Sequence, residues 1–379
     1  MDYFLTEEQQ MIKKIAGRIA REIIAPVAAQ CDEEERFPHE VIKALAGSDL
    51  CGVYIEEQYG GLGGGIFELA LVVEELSKAC GGIALIYNGS AVGTIPIILF
   101  GSPEQKAKYL PALASGEKLA AFGLTEANAG SDIAGTETRA VLDGQHYVIN
   151  GTKQMITNAG EADVYVIFAS TDRSKGAMGL SAFIVEKDTP GFSFGKKEDK
   201  LGVRASTTRG LVFDYCRIPK ENLLAAEGMG FIIAMRTLDR TRPGIAAQAV
   251  GIAQGAFEEA LKYSKERRQF GQPIFSFQAV QHMLADMAMQ IEAARCLLYQ
   301  ACRHIDSGAD SISKEAAMAK AVASDMAMKV TVDAVQILGG YGYLKEYPVE
   351  KRMRDAKITQ IYEGTNQIQK NIIARELLR

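Results

Sequence analysis

The chain has 379 residues, 47% of them hydrophobic and 23% charged, and its 47 acidic against 42 basic side chains give a net charge of −5. A chain of this length is expected to fold as two or three units rather than around a single core. The acidic balance disfavours a nucleic-acid-binding surface, although a local basic patch for an anionic ligand remains compatible with it.

The six cysteines form no C-x-x-C pair, and the four histidines show no metal-ligand spacing. Scattered cysteines are typical of reduced thiols rather than of a disulfide framework, so we expect neither disulfides nor a metal site. The N-terminus shows no basic-then-apolar leader, and we therefore expect a cytoplasmic protein.

The first third of the chain is predicted to be helical. Capping boxes of the S/T-x-x-E/Q type begin at Thr6 and Ser102, and the second segment is expected to end near Gly116. Residues 79–103 carry no charge and are long enough to span a bilayer. Their interspersed glycine and polar residues favour a buried core helix, and we do not expect an integral membrane protein.

Short β-rich runs predict a different fold for the middle of the chain. Residues 139–142 and 147–149 flank Asp143-Gly144, a strong hairpin signal, and further runs lie at 164–168, 180–185 and 211–215. We interpret this region as an antiparallel sandwich or barrel. From about Gly230 to the end, long helical segments indicate a bundle.

The glycine cluster at residues 60–65 does not complete G-x-G-x-x-G, and the sequence contains no Walker A motif. A Rossmann nicotinamide enzyme is therefore disfavoured, and an interhelical turn is expected at the cluster.

Four segments carry the most specific signal. They read FGLTEANAGSD at 122–132, ERRQFG at 266–271, QILGGYG at 336–342 and IYEGTNQIQ at 361–369. In order and spacing they resemble the acyl-CoA dehydrogenase family over essentially the whole chain, most closely the short-chain, butyryl-CoA type. The resemblance implies an α+β fold with an N-terminal helical domain (1–118), a middle β-sandwich or barrel domain (119–229) and a C-terminal helical bundle (230–379).

The same resemblance implies noncovalent FAD, contacted by residues from several segments. These are Phe122, Leu124, Thr125, Gly130, Ser131, Met155, Ile156, Thr157, Arg267, Gln269, Phe270, Phe277, Gln278, Gln336, Ile337, Gly339, Gly340, Thr365 and Gln367. Met155 departs from the family pattern, which commonly has tryptophan or phenylalanine against the flavin ring. Residues 267–270 would reach a neighbouring subunit's flavin, which implies a homotetramer built as a dimer of dimers.

Acyl-CoA is the implied substrate, with contacts from Ser131, Asp239, Thr241, Arg242, Gly364 and Arg375. In the family, the glutamate of Glu-Gly-Thr, here Glu363, removes the α-proton while flavin N5 takes the β-hydride to leave trans-2-enoyl-CoA. Some members place the base instead at the position that Thr241 occupies here. A threonine cannot replace a carboxylate base, so Glu363 is the expected one. Electron-transferring flavoprotein is the implied electron acceptor.

No lysine or arginine occurs between Lys78 and Lys106, where carboxylate-binding members can place a basic residue. A neutral acyl chain of short to medium length is therefore favoured. Branched, aromatic or cyclic acyl groups remain open, as does net enoyl-CoA reduction. An acyl-CoA oxidase and a non-catalytic acyl-CoA-binding protein are the alternatives to a dehydrogenase.

Overall fold

The computed structural model describes residues 3–378, and it confirms the predicted order of helices, β-sheet and helices. Six helices come first, α1–α6: Glu7–Ile19, Ala25–Glu33, His39–Ala46, Ile66–Ala79, Gly81–Phe100 and Pro103–Ala114. Eight strands follow, β1–β8: Ala120–Gly123, Arg139–Asp143, His146–Thr157, Val164–Ser170, Leu180–Glu186, Phe192–Lys197, Thr208–Pro219 and Leu223–Leu224. The chain then forms α7–α11: Gly230–Glu266, Gln278–Asp306, Ser313–Leu338, Val349–Ile358 and Asn366–Leu377.

Local sequence signals account for several of these boundaries. Both predicted capping boxes are confirmed, since the Gln9 N–H donates to Thr6 Oγ1 at 3.1 Å and the Gln105 N–H to Ser102 Oγ at 3.2 Å. The glycine cluster at 60–65 forms the turn that leads into α4, as expected. The domain boundaries inferred from the family resemblance stay a prediction.

The sheet differs from the sequence-based expectation in two details. Its strand order is β6-β7-β3-β2-β4-β5-β8, and β1 pairs with β4 in a parallel direction, so the sheet is mixed rather than antiparallel throughout. In the predicted hairpin, Asp143 pairs with His146, and the two-residue turn is therefore Gly144-Gln145 rather than Asp143-Gly144. Gly144 adopts a φ of 62°, a conformation that glycine reaches without steric cost.

Helix α5, the uncharged segment, packs against the sheet. Gly89 and Gly93 lie one turn apart on the face that meets the strands. A Cβ at Gly89 would lie 2.8 Å from the Thr157 side chain, and one at Gly93 would lie 2.6 Å from the Ala121 nitrogen. Glycine at these positions therefore allows α5 to approach β1 and β3 closely.

Among residues 3–378, α5 alone is long and apolar enough to cross a membrane, judged by length and composition. About 78% of its most apolar window is buried inside the protein, as in the core helix of a soluble protein. Such a helix is weak grounds for a membrane span.

Candidate active site

A cavity of about 720 Å³ lies where α5, the strands β1 and β3, helix α7 and the turn before α11 meet. Thirteen of the residues predicted to contact flavin or acyl-CoA line it: Phe122, Leu124, Thr125, Gly130, Ser131, Met155, Ile156, Thr157, Asp239, Arg242, Glu363, Gly364 and Arg375. The structure thus brings together segments that are more than 200 residues apart in the sequence.

Glu363 sits on a tight turn at the wall of this cavity. Its φ is 52° and that of Gly364 is 91°, so two consecutive residues adopt the left-handed conformation just before α11 begins. The Glu363 carbonyl accepts from Gln369 Nε2 at 3.1 Å, and the Gly364 carbonyl accepts from Lys320 Nζ at 2.8 Å. A non-glycine residue with positive φ is uncommon and needs such support from its surroundings.

The surroundings of the Glu363 carboxylate set its acidity. Burial raises its pKa to about 7, against the opposing effects of a hydrogen bond from Thr241 and of the positive charges of Arg242 and Lys320. Thr241 Oγ1 donates to Glu363 Oε2 at 2.7 Å. Thr241 is fully buried and, unlike Glu363, does not line the cavity. A carboxyl group with a pKa near 7 is matched to proton transfer at neutral pH.

A charged cluster adjoins the turn on α7. Arg242 Nη1 donates to Asp239 Oδ1 at 2.6 Å, and Ser313 Oγ donates to Asp239 Oδ2 at the same distance. Arg242 is almost completely buried, and burial lowers its pKa. Arg375, with a side chain 62% exposed, lies at the open side of the cavity. Because Arg242 is paired with Asp239, Arg375 is the cation of this group that suits an anionic ligand.

A buried ion pair fixes the β wall of the cavity. Lys153 Nζ lies 2.7 Å from Glu126 Oε1, and the two side chains are 0% and 6% exposed. The other oxygen of Glu126 accepts from the Glu137 N–H at 2.6 Å, and the Gln154 N–H donates to the Thr125 carbonyl at 2.8 Å. The 122–132 loop and strand β3 are thereby held as one surface.

A second group of predicted flavin contacts lies elsewhere on the chain. Arg267, Gln269, Ile337, Gly339 and Gly340 line a separate concavity of about 490 Å³. The Arg267 guanidinium stands 5.3 Å from the centre of the Tyr341 ring. Arg242 and Arg267 are roughly 37 Å apart along α7 at 1.5 Å per residue. The two concavities therefore lie toward opposite ends of α7.

Other predicted residues line neither cavity. They are Thr241, Phe270, Phe277, Gln278, Gln336, Thr365 and Gln367. Thr365 caps α11 by accepting from the Ile368 N–H at 3.3 Å. Phe270 is 93% exposed with a φ of 51°, and its ring centre lies 5.9 Å from that of Phe277.

The residues present fit a flavin dinucleotide. The main cavity offers the hydroxyls of Thr125, Ser131 and Thr157 beside apolar walls, which suits a ring system with a polar edge. In the second concavity, a Cβ at Gly339 or Gly340 would meet nothing within 4 Å among the described residues, so the backbone there is open to a ligand. Arg267 beside it can donate two hydrogen bonds to a diphosphate. Within residues 3–378, no cluster of His, Cys, Asp and Glu could hold a metal ion.

Comparison with known proteins identifies the protein family. Three family models match: the N-terminal domain of acyl-CoA dehydrogenase at residues 6–117, the middle domain at 121–216 and the C-terminal domain at 228–378. The short-chain specific acyl-CoA dehydrogenase of Clostridium acetobutylicum is 51% identical over 100% of both chains. The acryloyl-CoA reductase (NADH) of Anaerotignum propionicum is 49% identical over 100% of this chain and 96% of that protein.

Solved structures agree with this assignment. Butyryl-CoA dehydrogenase from Megasphaera elsdenii superposes with a TM-score of 0.98 at 49% identity, covering 100% of both chains. A chain in the structure of the electron transferring flavoprotein of Acidaminococcus fermentans, from work on flavin-based electron bifurcation, gives a TM-score of 0.98 at 52% identity over 100% of both chains. The chain belongs to the acyl-CoA dehydrogenase family. It is an FAD-dependent oxidoreductase that acts on CH–CH bonds and dehydrogenates acyl-CoA.

Sequence reasoning missed three residues that the structure places at the site. Lys320 and Lys153 are completely buried, and Asn88 of α5 lines the cavity. A lysine within the otherwise small and apolar run at 316–324 was a signal for Lys320. Nothing local in the sequence pairs Lys153 with Glu126, because they meet only through the sheet.

Proposed function

We propose that this chain dehydrogenates a short-chain acyl-CoA, with Glu363 as the base that removes the α-proton. The observation that carries the proposal is the position of Glu363 in the main cavity, with a pKa raised to about 7 and a hydrogen bond from Thr241. A base must be deprotonated yet able to accept a proton, and a pKa near neutrality meets both conditions.

The chain's own residues would act mainly by positioning. Lys320, Gln369 and Arg242 hold the Glu363–Gly364 turn through its carbonyls, so the carboxylate keeps one direction toward the substrate. The Glu363 N–H would help hold the thioester oxygen, where negative charge develops as the proton leaves. When bound, the flavin supplies the acceptor for the hydride that leaves Cβ.

Different residues of the main cavity would bind the flavin and the acyl-CoA. Thr125, Ser131 and Thr157 would contact the flavin, with Ser131 also meeting the acyl-CoA. The cluster of Asp239, Arg242 and Ser313, together with Arg375, would meet the polar part of the substrate. The flavin ring would lie against Met155, whose thioether can pack on an aromatic edge.

The assembly is proposed to be a homotetramer in which Arg267, Gln269, Phe270 and the 336–340 turn of one chain reach the flavin of its neighbour. The main cavity is lined by the first part of α7 and the second concavity by residues at its C-terminal end, and this separation supports a site shared between chains. Electron-transferring flavoprotein is the proposed acceptor of the electrons, and a cytoplasmic location is proposed for the enzyme.

Net operation as an enoyl-CoA reductase is a second candidate function. The acryloyl-CoA reductase (NADH) of Anaerotignum propionicum matches 100% of this chain at 49% identity, against 51% for the short-chain dehydrogenase of Clostridium acetobutylicum. The same cavity and the same carboxyl group would serve, since Glu363 would return the proton to Cα in the reverse direction.

A panel of acyl-CoA thioesters tests the proposal. The purified protein is expected to be yellow, and its flavin absorbance should bleach under anaerobic conditions when butyryl-CoA is added. Reduction of electron-transferring flavoprotein without oxygen consumption would separate a dehydrogenase from an oxidase. A colourless protein that takes up no FAD, or flavin that no acyl-CoA bleaches, would contradict the proposed function. Faster flavin reoxidation by enoyl-CoA than reduction by acyl-CoA would favour the second candidate.

A further inference from the structure

Asn88 on α5 is an unusual member of the cavity wall. It is 0% exposed, and neither Oδ1 nor Nδ2 has a hydrogen-bond partner among the described residues. An unpaired buried polar group costs roughly 1–3 kcal/mol, and most such groups in native proteins are paired. A leucine of similar size would avoid that cost, and a ligand group bonded to the amide would offset it.

The amide packs against the part of α7 that also contacts Glu363. It packs on Gly244 of α7, where any Cβ would overlap Oδ1. Gly244 lies three residues, about 4.5 Å along the helix, from Thr241, which holds the Glu363 carboxylate. Glycine inside a helix costs about 1 kcal/mol relative to alanine, and here it makes room for the amide.

The surrounding wall limits what the amide can bind. Apolar side chains also line the cavity: Leu85 and Val92 lie one turn from Asn88 on α5, and Ile245 follows Gly244 on α7. No lysine or arginine occurs on α5, and the nearby cations Arg242 and Lys320 are already bonded to Asp239 and to the Glu363–Gly364 turn. A substrate carboxylate would be left without a countercharge, whereas an uncharged hydroxyl or carbonyl would satisfy the amide.

We propose that Asn88 hydrogen-bonds an uncharged polar group, a hydroxyl or a carbonyl, carried by the acyl chain beyond Cβ. The substrate class is then a short acyl-CoA with a polar chain end rather than a plain alkyl thioester. This inference rests on the proposed function, because it assigns the acyl group of the same reaction. A plain alkyl substrate would leave the buried amide unpaired in the complex. A site that leaves a buried polar group unpaired with the wrong substrate discriminates between substrates more strongly than a site that selects by size.

The test compares substrates that match in size and differ in polarity. Anaerobic flavin bleaching gives kcat/KM for 4-hydroxybutyryl-CoA against pentanoyl-CoA, and for 4-oxopentanoyl-CoA against 4-methylpentanoyl-CoA. The wild type should favour the polar member of at least one pair by tenfold or more. Asn88→Leu should lose or reverse that preference. A wild-type preference for the alkyl members in both pairs would overturn the proposal even if the variant failed to fold.

Heat stability without substrate gives an independent readout. Because the amide is unpaired, Asn88→Leu should leave the melting temperature unchanged or raise it, whereas replacement of a structurally bonded asparagine lowers it. A lowered melting temperature with an unchanged substrate ratio would mean that Asn88 serves the fold or binds only water, and would overturn the proposal. If no thioester of either kind bleached the flavin, the proposed function itself would fail, which is a different result.

Discussion

Glu363 titrates under opposing influences, and their balance predicts how the enzyme responds to pH. Burial raises its pKa to about 7, while Thr241, Arg242 and Lys320 favour the charged form. The base must be ionised, so kcat/KM should increase with pH up to about 7 and then level off. Stopped-flow flavin reduction from pH 5.5 to 8.5 measures this limb. A flat profile over that range would contradict the assigned pKa.

The same pKa shift has a consequence for stability. Because the pKa of Glu363 in the folded protein lies above its usual value of 4.5, ionisation of this carboxyl group destabilises the folded protein relative to the unfolded chain. The contribution of Glu363 to stability therefore falls as the pH rises from about 4.5 to 7. This cost is typical of a site in which function opposes stability.

Lys320 supports the turn that carries the base. Its ammonium donates to the Gly364 carbonyl at 2.8 Å and to Asn366 Oδ1 at 2.9 Å, and burial lowers its pKa to about 8. In Lys320→Met the turn loses an anchor and Glu363 loses a stabilising charge. We expect kcat/KM to fall about tenfold or more and its acid limb to move to higher pH.

A matched control is available on the same helix. Lys329 is about half exposed and, among residues 3–378, pairs only with Asp333, so Lys329→Met should change neither the rate nor the pH profile. If Lys320→Met lowered the melting temperature but kept the wild-type pH profile, its role would be structural only.

At the scale of elements, the Lys153–Glu126 pair joins strand β3 to the loop that carries Thr125 and Ser131. Removing one partner of a buried pair leaves an uncompensated charge and costs about 3–5 kcal/mol. Lys153→Met should therefore unfold at lower temperature and release FAD, as calorimetry and fluorescence of the released flavin would show. Adding Glu126→Gln should recover part of the loss. A double variant less stable than the single one would refute this explanation.

The elements that were predictable are those fixed by short-range chemistry. Capping boxes located α1 and α6, and turn chemistry located the β2–β3 hairpin, although the strand register moved its turn by one residue. The parallel pairing of β1 with β4 was missed, because it joins residues more than 40 positions apart that carry no local signal.

In the candidate site, too, the sequence motif identified one residue but not the neighbours that the fold brings to it. The Glu-Gly-Thr motif pointed to Glu363, yet its neighbours Thr241 and Lys320 come from two different long helices and meet it only in the folded chain. The unpaired amide of Asn88 was invisible for the same reason. Pairing and burial depend on tertiary packing, which a single sequence does not display.

For the whole molecule, the position of Arg267 predicts a link between flavin retention and assembly. If its diphosphate contact crosses to the neighbouring chain, Arg267→Ala should weaken both, with FAD lost and smaller species appearing in light scattering. Arg268→Ala removes an exposed charge one residue away and serves as the control. A fully flavinated Arg267→Ala monomer with normal activity would contradict the shared site.

The most direct test of the account is the rate of flavin bleaching in Glu363→Gln, mixed rapidly with saturating substrate. Glutamine keeps the size and polarity of the side chain but cannot accept the α-proton, so fold, FAD content and substrate binding should survive. The reduction rate should fall by at least the upper end of the roughly 10²–10⁴-fold typical of general-base catalysis. A rate within a few-fold of the wild type would place the base elsewhere and contradict the central claim.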